Sequence, residues 1–311
     1  MSLLFTILCF TIIAGRGITE DGSVLVGHNE DDYDVSEFYV NSSRQGLWAQ
    51  VPGLKVADSF INRWGVSVVS DNCRSREDKE DLTDGGVLYE LRYSVYQKAR
   101  SARQAVEIIA GLVESRGYSS SGRSYMVADS REAWVVSVVQ GRHWVAQRVP
   151  DDQVMIIPNY YVIGKVDLAD KDNFLAGPGL VEYAEERGWY DRDRDGEFSF
   201  RDAYAQRYSL VREHNLTRHA AVLGFFGFGY NPEEVPFSVK PDFKINAGHL
   251  QAALSSVHHE STIYTVIYHL TRRKPAMWFD SLKRGDYRRW DLDGKERRDT
   301  VKLENVINKS L

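Results

Sequence analysis

Closely spaced strand-like segments limit this chain to folds that contain antiparallel sheet. Residues 133–149, AWVVSVVQGRHWVAQRV, hold two runs rich in β-branched and aromatic residues on either side of Gln140-Gly141. Such runs favour strands, and a glycine-containing pair between them is typical of a hairpin turn. QVMII at 153–157 is a further run of this kind. The segment 123–157 therefore predicts consecutive strands that pair with their sequence neighbours.

Two amphipathic helices separate groups of strands. Apolar residues recur at helical spacing from Gly86 to Arg100, and a second helix opens at Ser101, which has capping-box spacing to Gln104. Further strand-like runs lie at 8–14, 23–29, 65–72 and 261–270, and helical patterns return near 178–188 and 201–210. Antiparallel strands alternating with paired helices predict an α+β fold with helices layered on sheets.

Charge and hydropathy exclude two classes of partner. The net charge is −5 with acidic and basic residues interspersed, whereas nucleic-acid binders usually carry a basic stripe. No run reaches the roughly 18 apolar residues that a membrane span requires. We therefore expect no nucleic-acid or membrane partner, and a homo-oligomer is compatible with the sequence.

The two cysteines and the first residues of the chain indicate the cellular location of the protein. Two cysteines in so long a chain do not suggest a disulfide framework, so we expect Cys9 and Cys73 to be reduced. Reduced thiols favour a cytoplasmic location. The apolar opening MSLLFTILCFTIIAG has the length of a secretory core, but no positive charge precedes it and no A-x-A-like site follows. Export is the alternative if residues 1–8 belong to a signal peptide.

Cys9 stands close to the N-terminus but not at it. Removal of residues 1–8 would give it a free α-amine, whose pKa of about 7.7–8.0 suits a general base for the adjacent thiol. Residues 1–8 are then a propeptide, and 9–311 form a single domain with a charged tail region at 271–311. The cysteine taken alone is more simply a buried strand residue, because reduced cysteine is among the most buried residue types.

Residues 9–31, CFTIIAGRGITEDGSVLVGHNED, resemble the start of the mature dipeptidases of the N-terminal-nucleophile hydrolase superfamily. Residues 85–118 resemble the central helix pair of that family and residues 124–159 its long strand block, while 173–191 and 258–270 match more loosely. The resemblance implies a four-layer αββα sandwich. It also implies that Cys9 is the nucleophile and that its own amine is the base.

The resemblance also implies roles for four further residues. His28 and Asp31 match a basic residue and an aspartate that orient the nucleophile, although the wider superfamily of penicillin V acylases and bile-salt hydrolases more often has arginine at the first position. Asn72 matches an oxyanion-hole donor, and Asn159 a polar position that lines the cleft. For His28 a locally bonded strand-end histidine is the alternative, and for both asparagines a loop residue after a strand. Cys73 has no evident base beside it and is expected to be a bystander.

The loop DRDRDGEFSFRD at 191–202 resembles a calcium-binding loop. Asp191, Asp193 and Asp195 precede a glycine at EF-hand spacing, and Asp202 stands where EF-hands prefer glutamate. Calcium is thus a minority expectation, and no other cofactor is implied.

Together these features predict a self-processing cysteine dipeptidase that forms an acyl-enzyme on Cys9. Hydrolysis of another N-acyl amide within the same superfamily is one alternative, and a non-enzymatic, calcium-stabilised binding protein is another. Many of the family's dipeptidases are longer than this chain, which leaves the substrate range open.

Overall fold

The computed structural model describes residues 9–32, 39–50, 59–76, 78–282, 286–291 and 296–297, so the predicted propeptide 1–8 lies outside the described residues. The strands are β1 (Phe10–Ala14), β2 (Val24–Asp31), β3 (Tyr39–Ser43), β4 (Gly46–Gln50), β5 (Ser59–Asn62), β6 (Ser67–Asp71), β7 (Arg123–Ala128), β8 (Ala133–Val138), β9 (Trp144–Arg148), β10 (Val154–Ile157), β11 (Phe174–Ala176), β12 (Ser238–Val239), β13 (Thr262–Leu270), β14 (Ala276–Ser281), β15 (Asp286–Asp291) and β16 (Glu296–Arg297). The helices are α1 (Glu90–Lys98), α2 (Ala102–Arg116), α3 (Leu180–Glu186), α4 (Arg192–Asp195), α5 (Phe200–Tyr204), α6 (Arg207–Val211), α7 (Glu213–Phe225) and α8 (Ala247–Ser255).

The described strands form two antiparallel sheets. The first sheet has the order β12-β10-β1-β2-β13-β14-β15-β16, and the second has the order β11-β9-β8-β7-β6-β5-β4-β3. The predicted hairpin is present as β8 and β9, joined through Gly141, which has a φ of +92°. A left-handed conformation of this kind favours glycine, which explains why the turn falls at that residue.

Helices cover the outer face of each sheet. One apolar cluster lies between the sheets and includes Ile13 of β1 and Val69 of β6. A second joins α1 and α2 to the second sheet, with Val106 packed in the same cluster as Val136. A third joins α7 and α8 to the first sheet and contains Leu250. These layers confirm the predicted four-layer αββα sandwich.

Local sequence signals mark the ends of several elements. The Ser101 side chain accepts a hydrogen bond from the Gln104 backbone N–H, as the spacing predicts for the start of α2. The predicted strand at 261–270 is β13, the central partner of β2. Both Cys9 and Cys73 are free thiols, as predicted.

Part of the predicted tail region extends the first sheet. β14 pairs with β13 from His269 opposite Ala276 to Tyr264 opposite Ser281. β15 and β16 follow in the same antiparallel order. The described part of the region 271–311 therefore contributes strands to the sheet that contains β1, which begins directly after Cys9.

Candidate active site

The side chain of Cys9 faces the space between the two sheets. Successive residues of a strand point to opposite faces, and Ile13 of β1 lies in the cluster between the sheets. Cys9 and Thr11 share the parity of Ile13, so they face the second sheet as well. Thr11 pairs with His28 on β2, which places His28 and Glu30 beside Cys9 on this inner face.

Glu30 connects the thiol to the histidine. The Cys9 Sγ–H donates to Glu30 Oε1 over 3.4 Å, while Glu30 Oε2 lies 3.0 Å from His28 Nε2. All three residues are buried. A buried carboxylate therefore has one oxygen on the Cys9 thiol and the other on the His28 imidazole.

His28 contacts a second carboxylate that comes from the opposite sheet. Its Nδ1 atom lies 3.3 Å from Asp71 Oδ1 and 2.8 Å from Thr11 Oγ1. Burial by itself lowers the pKa of His28, but hydrogen bonds to Asp71 and Glu30 outweigh burial and raise the pKa from 6.5 to about 9. At neutral pH the imidazole is a cation between two carboxylates. His28 thus places a buried positive charge between Asp71 and Glu30.

The Cys9 thiol is protonated in this environment. Burial raises its pKa well above the ordinary value, and the charges of Glu30, Asp71 and Asp31 raise it further, opposed by a hydrogen bond from the Asp31 backbone N–H. A thiol is a weak nucleophile until a base removes its proton. The nearest described acceptor for that proton is Glu30.

Asp31 lies on the other face of β2 from His28. Residues three apart on a strand have opposite parity, so Asp31 points toward the helices. Its Oδ2 atom pairs with Arg218 of α7 at 3.0 Å and with His259 at 3.1 Å. The Arg218 guanidinium also lies 5.0 Å from the ring centre of Phe10, next to Cys9. The predicted pair His28 and Asp31 is therefore divided between two layers of the protein.

Asn72 and Asn159 lie beside each other. Asn159 Nδ2 donates to the backbone oxygen of Asn72 over 3.3 Å, and Asn215 of α7 donates to the backbone oxygen of Asn159 over 3.5 Å. All three line a small cavity of about 20 Å³. Asn72 directly follows Asp71, and Asp71 contacts His28. β6 therefore connects the two asparagines to the buried group of Cys9, His28 and Glu30.

A larger cleft of about 810 Å³ lies elsewhere in the described structure. Its walls include Trp189, Phe237 and Arg201, and none of the predicted site residues Cys9, His28, Asp31, Asn72 and Asn159 lines it. A volume of that order is typical of small-molecule pockets. The cluster of Cys9, His28 and Glu30 and this cleft are thus separate features of the described structure.

The acidic loop at 191–202 uses its carboxylates within the loop. Asp191 caps the short helix α4 by accepting the backbone N–H groups of Asp193 and Arg194. Asp195 pairs with Arg194 at 2.6 Å, and the Asp202 carboxylate lies 3.5 Å from Arg201. Among the described residues, the Asp191, Asp193, Asp195 and Asp202 carboxylates do not converge on one point as metal ligands would.

Cys73 is a separate buried thiol. Its Sγ atom lies 3.7 Å from the Pro158 backbone oxygen, and burial together with the charge of Asp71 raises its pKa to about 12.

The residues that sequence reasoning missed are Thr11, Glu30, Asp71, Arg218 and His259. The alternation of side chains along β2 could have identified Glu30, because Glu30 lies on the same face as His28. Arg218 and His259 can be identified only from the packing of the helical layer.

The comparisons with known proteins agree with the predicted family. The sequence profile of Peptidase family C69 matches residues 79–282. A probable dipeptidase of Latilactobacillus sakei is 24% identical over 299 residues, which cover 82% of this chain and 61% of that relative. A probable dipeptidase of Salmonella dublin is 31% identical over 176 residues, which cover 53% of this chain and 38% of that relative.

The chain therefore belongs to peptidase family C69. It spans between 38% and 61% of the length of these two curated relatives. Among solved structures, penicillin V acylase from Agrobacterium tumefaciens aligns with a TM-score of 0.48 at 10% identity, covering 92% of this chain and 86% of that one. Within the described residues, no helix has both the length and the apolar character to cross a bilayer.

Proposed function

We propose that this chain is a self-processing cysteine dipeptidase whose nucleophile is Cys9. Membership of peptidase family C69 and the probable dipeptidases among its relatives support hydrolysis of short peptides. The observation that carries the assignment is the buried contact of the Cys9 thiol with Glu30 Oε1 at 3.4 Å. A thiol with a carboxylate acceptor at the head of a strand is arranged for nucleophilic attack on a carbonyl.

Self-processing begins with the Leu8–Cys9 peptide bond. Glu30 takes the thiol proton as Cys9 Sγ attacks the Leu8 carbonyl carbon, and a C–S bond forms as the C–N bond breaks. The released amine of Cys9 takes up a proton, and water then hydrolyses the thioester and frees residues 1–8. The product has a cysteine that carries its own base.

In the processed protein the α-amine replaces Glu30 as the base that acts on the thiol during turnover. Attack on the substrate carbonyl places an acyl group on Cys9, and water releases it. Asp31 holds the ammonium form of the amine, supported by its buried Oδ1 atom, which has no hydrogen-bond partner in the part of the chain that the structure describes. Arg218 and His259 keep the Asp31 carboxylate in place from the helical layer.

The asparagine pair supplies the oxyanion site in this proposal. The Asn72 side-chain amide donates to the developing oxyanion, and Asn159 sets the position of Asn72 through its hydrogen bond to the Asn72 backbone oxygen. One such donor contributes about 2.7–4 kcal/mol to transition-state stabilisation. His28 contributes a fixed positive charge near the reacting sulfur, as the raised pKa of about 9 allows at neutral pH.

Intact mass and activity on a dipeptide panel test the proposal together. The wild-type chain is expected to lose residues 1–8 and to hydrolyse dipeptides, whereas Cys9→Ala is expected to do neither. Cys73→Ala is the matched control and should behave as wild type, because Cys73 contacts Pro158 and not the cluster. An active protein that retains residues 1–8, or an active Cys9→Ala variant, would show the assignment to be wrong. A parallel panel of N-acyl amides separates the dipeptidase from the alternative amide hydrolase.

A further inference from the structure

Three buried side chains around the nucleophile present the donor atoms of a transition-metal site. Cys9 Sγ, an imidazole nitrogen of His28 and a carboxylate oxygen of Glu30 all lie within 4.8 Å of one another. Thiolate, imidazole and carboxylate are the ligands that Zn²⁺ takes from proteins. Harder cations such as Ca²⁺ and Mg²⁺ prefer all-oxygen sites, so this donor set selects against them.

The spacing of these donors suits a tetrahedral ion. Zinc bond lengths of about 2.0–2.3 Å separate neighbouring ligand atoms of a tetrahedron by roughly 3.3–3.5 Å. The distance from Cys9 Sγ to Glu30 Oε1 is 3.4 Å, and that from His28 Nε2 to Glu30 Oε2 is 3.0 Å. Each of these two separations lies within a few tenths of an ångström of a tetrahedral ligand spacing, one through each oxygen of the Glu30 carboxylate.

The histidine also has the outer partner that zinc-binding imidazoles require. Ligating histidines usually direct their second nitrogen to a carboxylate, which fixes the ring and raises its basicity. His28 Nδ1 lies 3.3 Å from Asp71 Oδ1 and 2.8 Å from Thr11 Oγ1, which leaves Nε2 on the side of Cys9 and Glu30. Asp71 is fully buried, so this support is held within the interior.

We propose that Zn²⁺ binds Cys9, His28 and Glu30 and reversibly blocks the nucleophile. The ion replaces the thiol proton and the Nε2 proton of His28, and both protons leave to solvent. Coordination draws charge from the sulfur and makes the thiolate a weaker nucleophile toward a carbonyl, and Glu30 cannot accept a proton with an oxygen that ligates the ion. Binding of the metal stands on the donor geometry alone, whereas its inhibitory consequence rests on the proposed function.

Titration of the full chain with Zn²⁺ against a chromophoric chelator measures the binding. We expect one ion per chain, with Cys9→Ser and Glu30→Gln each weakening affinity by more than about 100-fold, because losing a ligand costs more than losing an outer partner. Asp71→Asn is expected to weaken it by about 10–100-fold. Cys73→Ser is the matched control with unchanged affinity. Thermal melting of every variant without metal shows that a loss of binding does not reflect unfolding.

Cobalt provides a spectroscopic check that does not depend on activity. Co²⁺ bound by Cys9 is expected to show a sulfur-to-metal charge-transfer band that Cys9→Ser abolishes and Cys73→Ser retains. Equal zinc affinity in Cys9→Ser and wild type, or loss of the band in Cys73→Ser, would overturn the metal site. Zinc binding without dipeptidase activity in the metal-free protein would leave the site standing and remove the proposed function, so the two failures are distinguishable.

Discussion

His28 Nε2 lies 3.0 Å from Glu30 Oε2, and both side chains are buried on the inner face of β2. The two residues are next-but-one neighbours on a strand and therefore share a face. Glu30 uses its second oxygen on the Cys9 thiol. A single buried carboxylate thus couples the protonation of the histidine to that of the Cys9 thiol.

The first prediction concerns activity at high pH. Since the pKa of His28 is about 9, activity should fall as the pH rises through that value and the imidazole loses its charge. His28→Arg is expected to move this decline to higher pH, because arginine stays protonated. His28→Gln should lower activity below about pH 9, with the difference from wild type narrowing at higher pH, while the control His269→Gln keeps the wild-type profile. The measurement is kcat/KM across pH, and a wild-type decline retained in His28→Arg would contradict the role of His28.

The second prediction concerns stability and follows from the same group. The folded pKa of about 9 lies above the ordinary value of 6.5, so the stabilising contribution of His28 is complete below pH 6.5 and is lost as the pH rises through 9. The upper limit is about 3 kcal/mol at roughly 1.4 kcal/mol for each pKa unit. Urea unfolding of Cys9→Ala with and without His28→Gln, at pH 6 and pH 10, measures it. The difference between the two proteins should shrink toward the higher pH.

The third prediction concerns Glu30 as the acceptor of the thiol proton. Glu30→Gln should slow loss of residues 1–8 by about 10²–10⁴-fold, the range that general acid–base catalysis supplies. Glu107→Gln is the matched control, because Glu107 lies on the exposed face of α2, where it pairs with Arg103 at 4.0 Å. Intact mass against time gives the rate. If Glu30→Gln is processed at the wild-type rate, a group other than Glu30 accepts the proton of the Cys9 thiol.

The fourth prediction concerns the ion pair between Arg218 and Asp31. Arg218→Ala should destabilise the fold by about 3–5 kcal/mol, because it leaves a buried carboxylate without its closest cation. Arg218→Ala combined with Asp31→Asn should be less destabilised than the sum of the single variants. Urea unfolding of all four proteins in this cycle measures the coupling, and strictly additive effects would argue against the pair.

The fifth prediction concerns the asparagine that follows β6. Asn72→Ala should lower kcat by about 10²–10³-fold with little change in KM, as expected of a donor that acts mainly in the transition state. Asn173→Ala, in an exposed turn where its side chain bonds Asp170, is the control. A rise in KM with unchanged kcat would instead make Asn72 a substrate-binding residue.

Local patterns in the sequence were enough to predict most of the elements. The hairpin at 133–149, the cap at Ser101 and the central strand at 261–270 each depend on residues close together in the chain. Turn-forming residues and hydrophobic periodicity act over short segments of the chain, so they can be recognised in the sequence without knowledge of the fold. The resemblance then correctly predicted the four layers and the peptidase family.

The composition of the site depends on contacts that no local pattern records. Asp71 reaches His28 only because β6 of one sheet faces β2 of the other, and Arg218 reaches Asp31 only because α7 packs on the opposite side. The sequence by itself determined the strand that carries His28 and Asp31. It also determined that the Cys9 thiol lies at the start of the neighbouring strand. Tertiary structure decided which face each side chain takes and which distant charges meet it, since sheet packing and strand register join residues far apart in the chain.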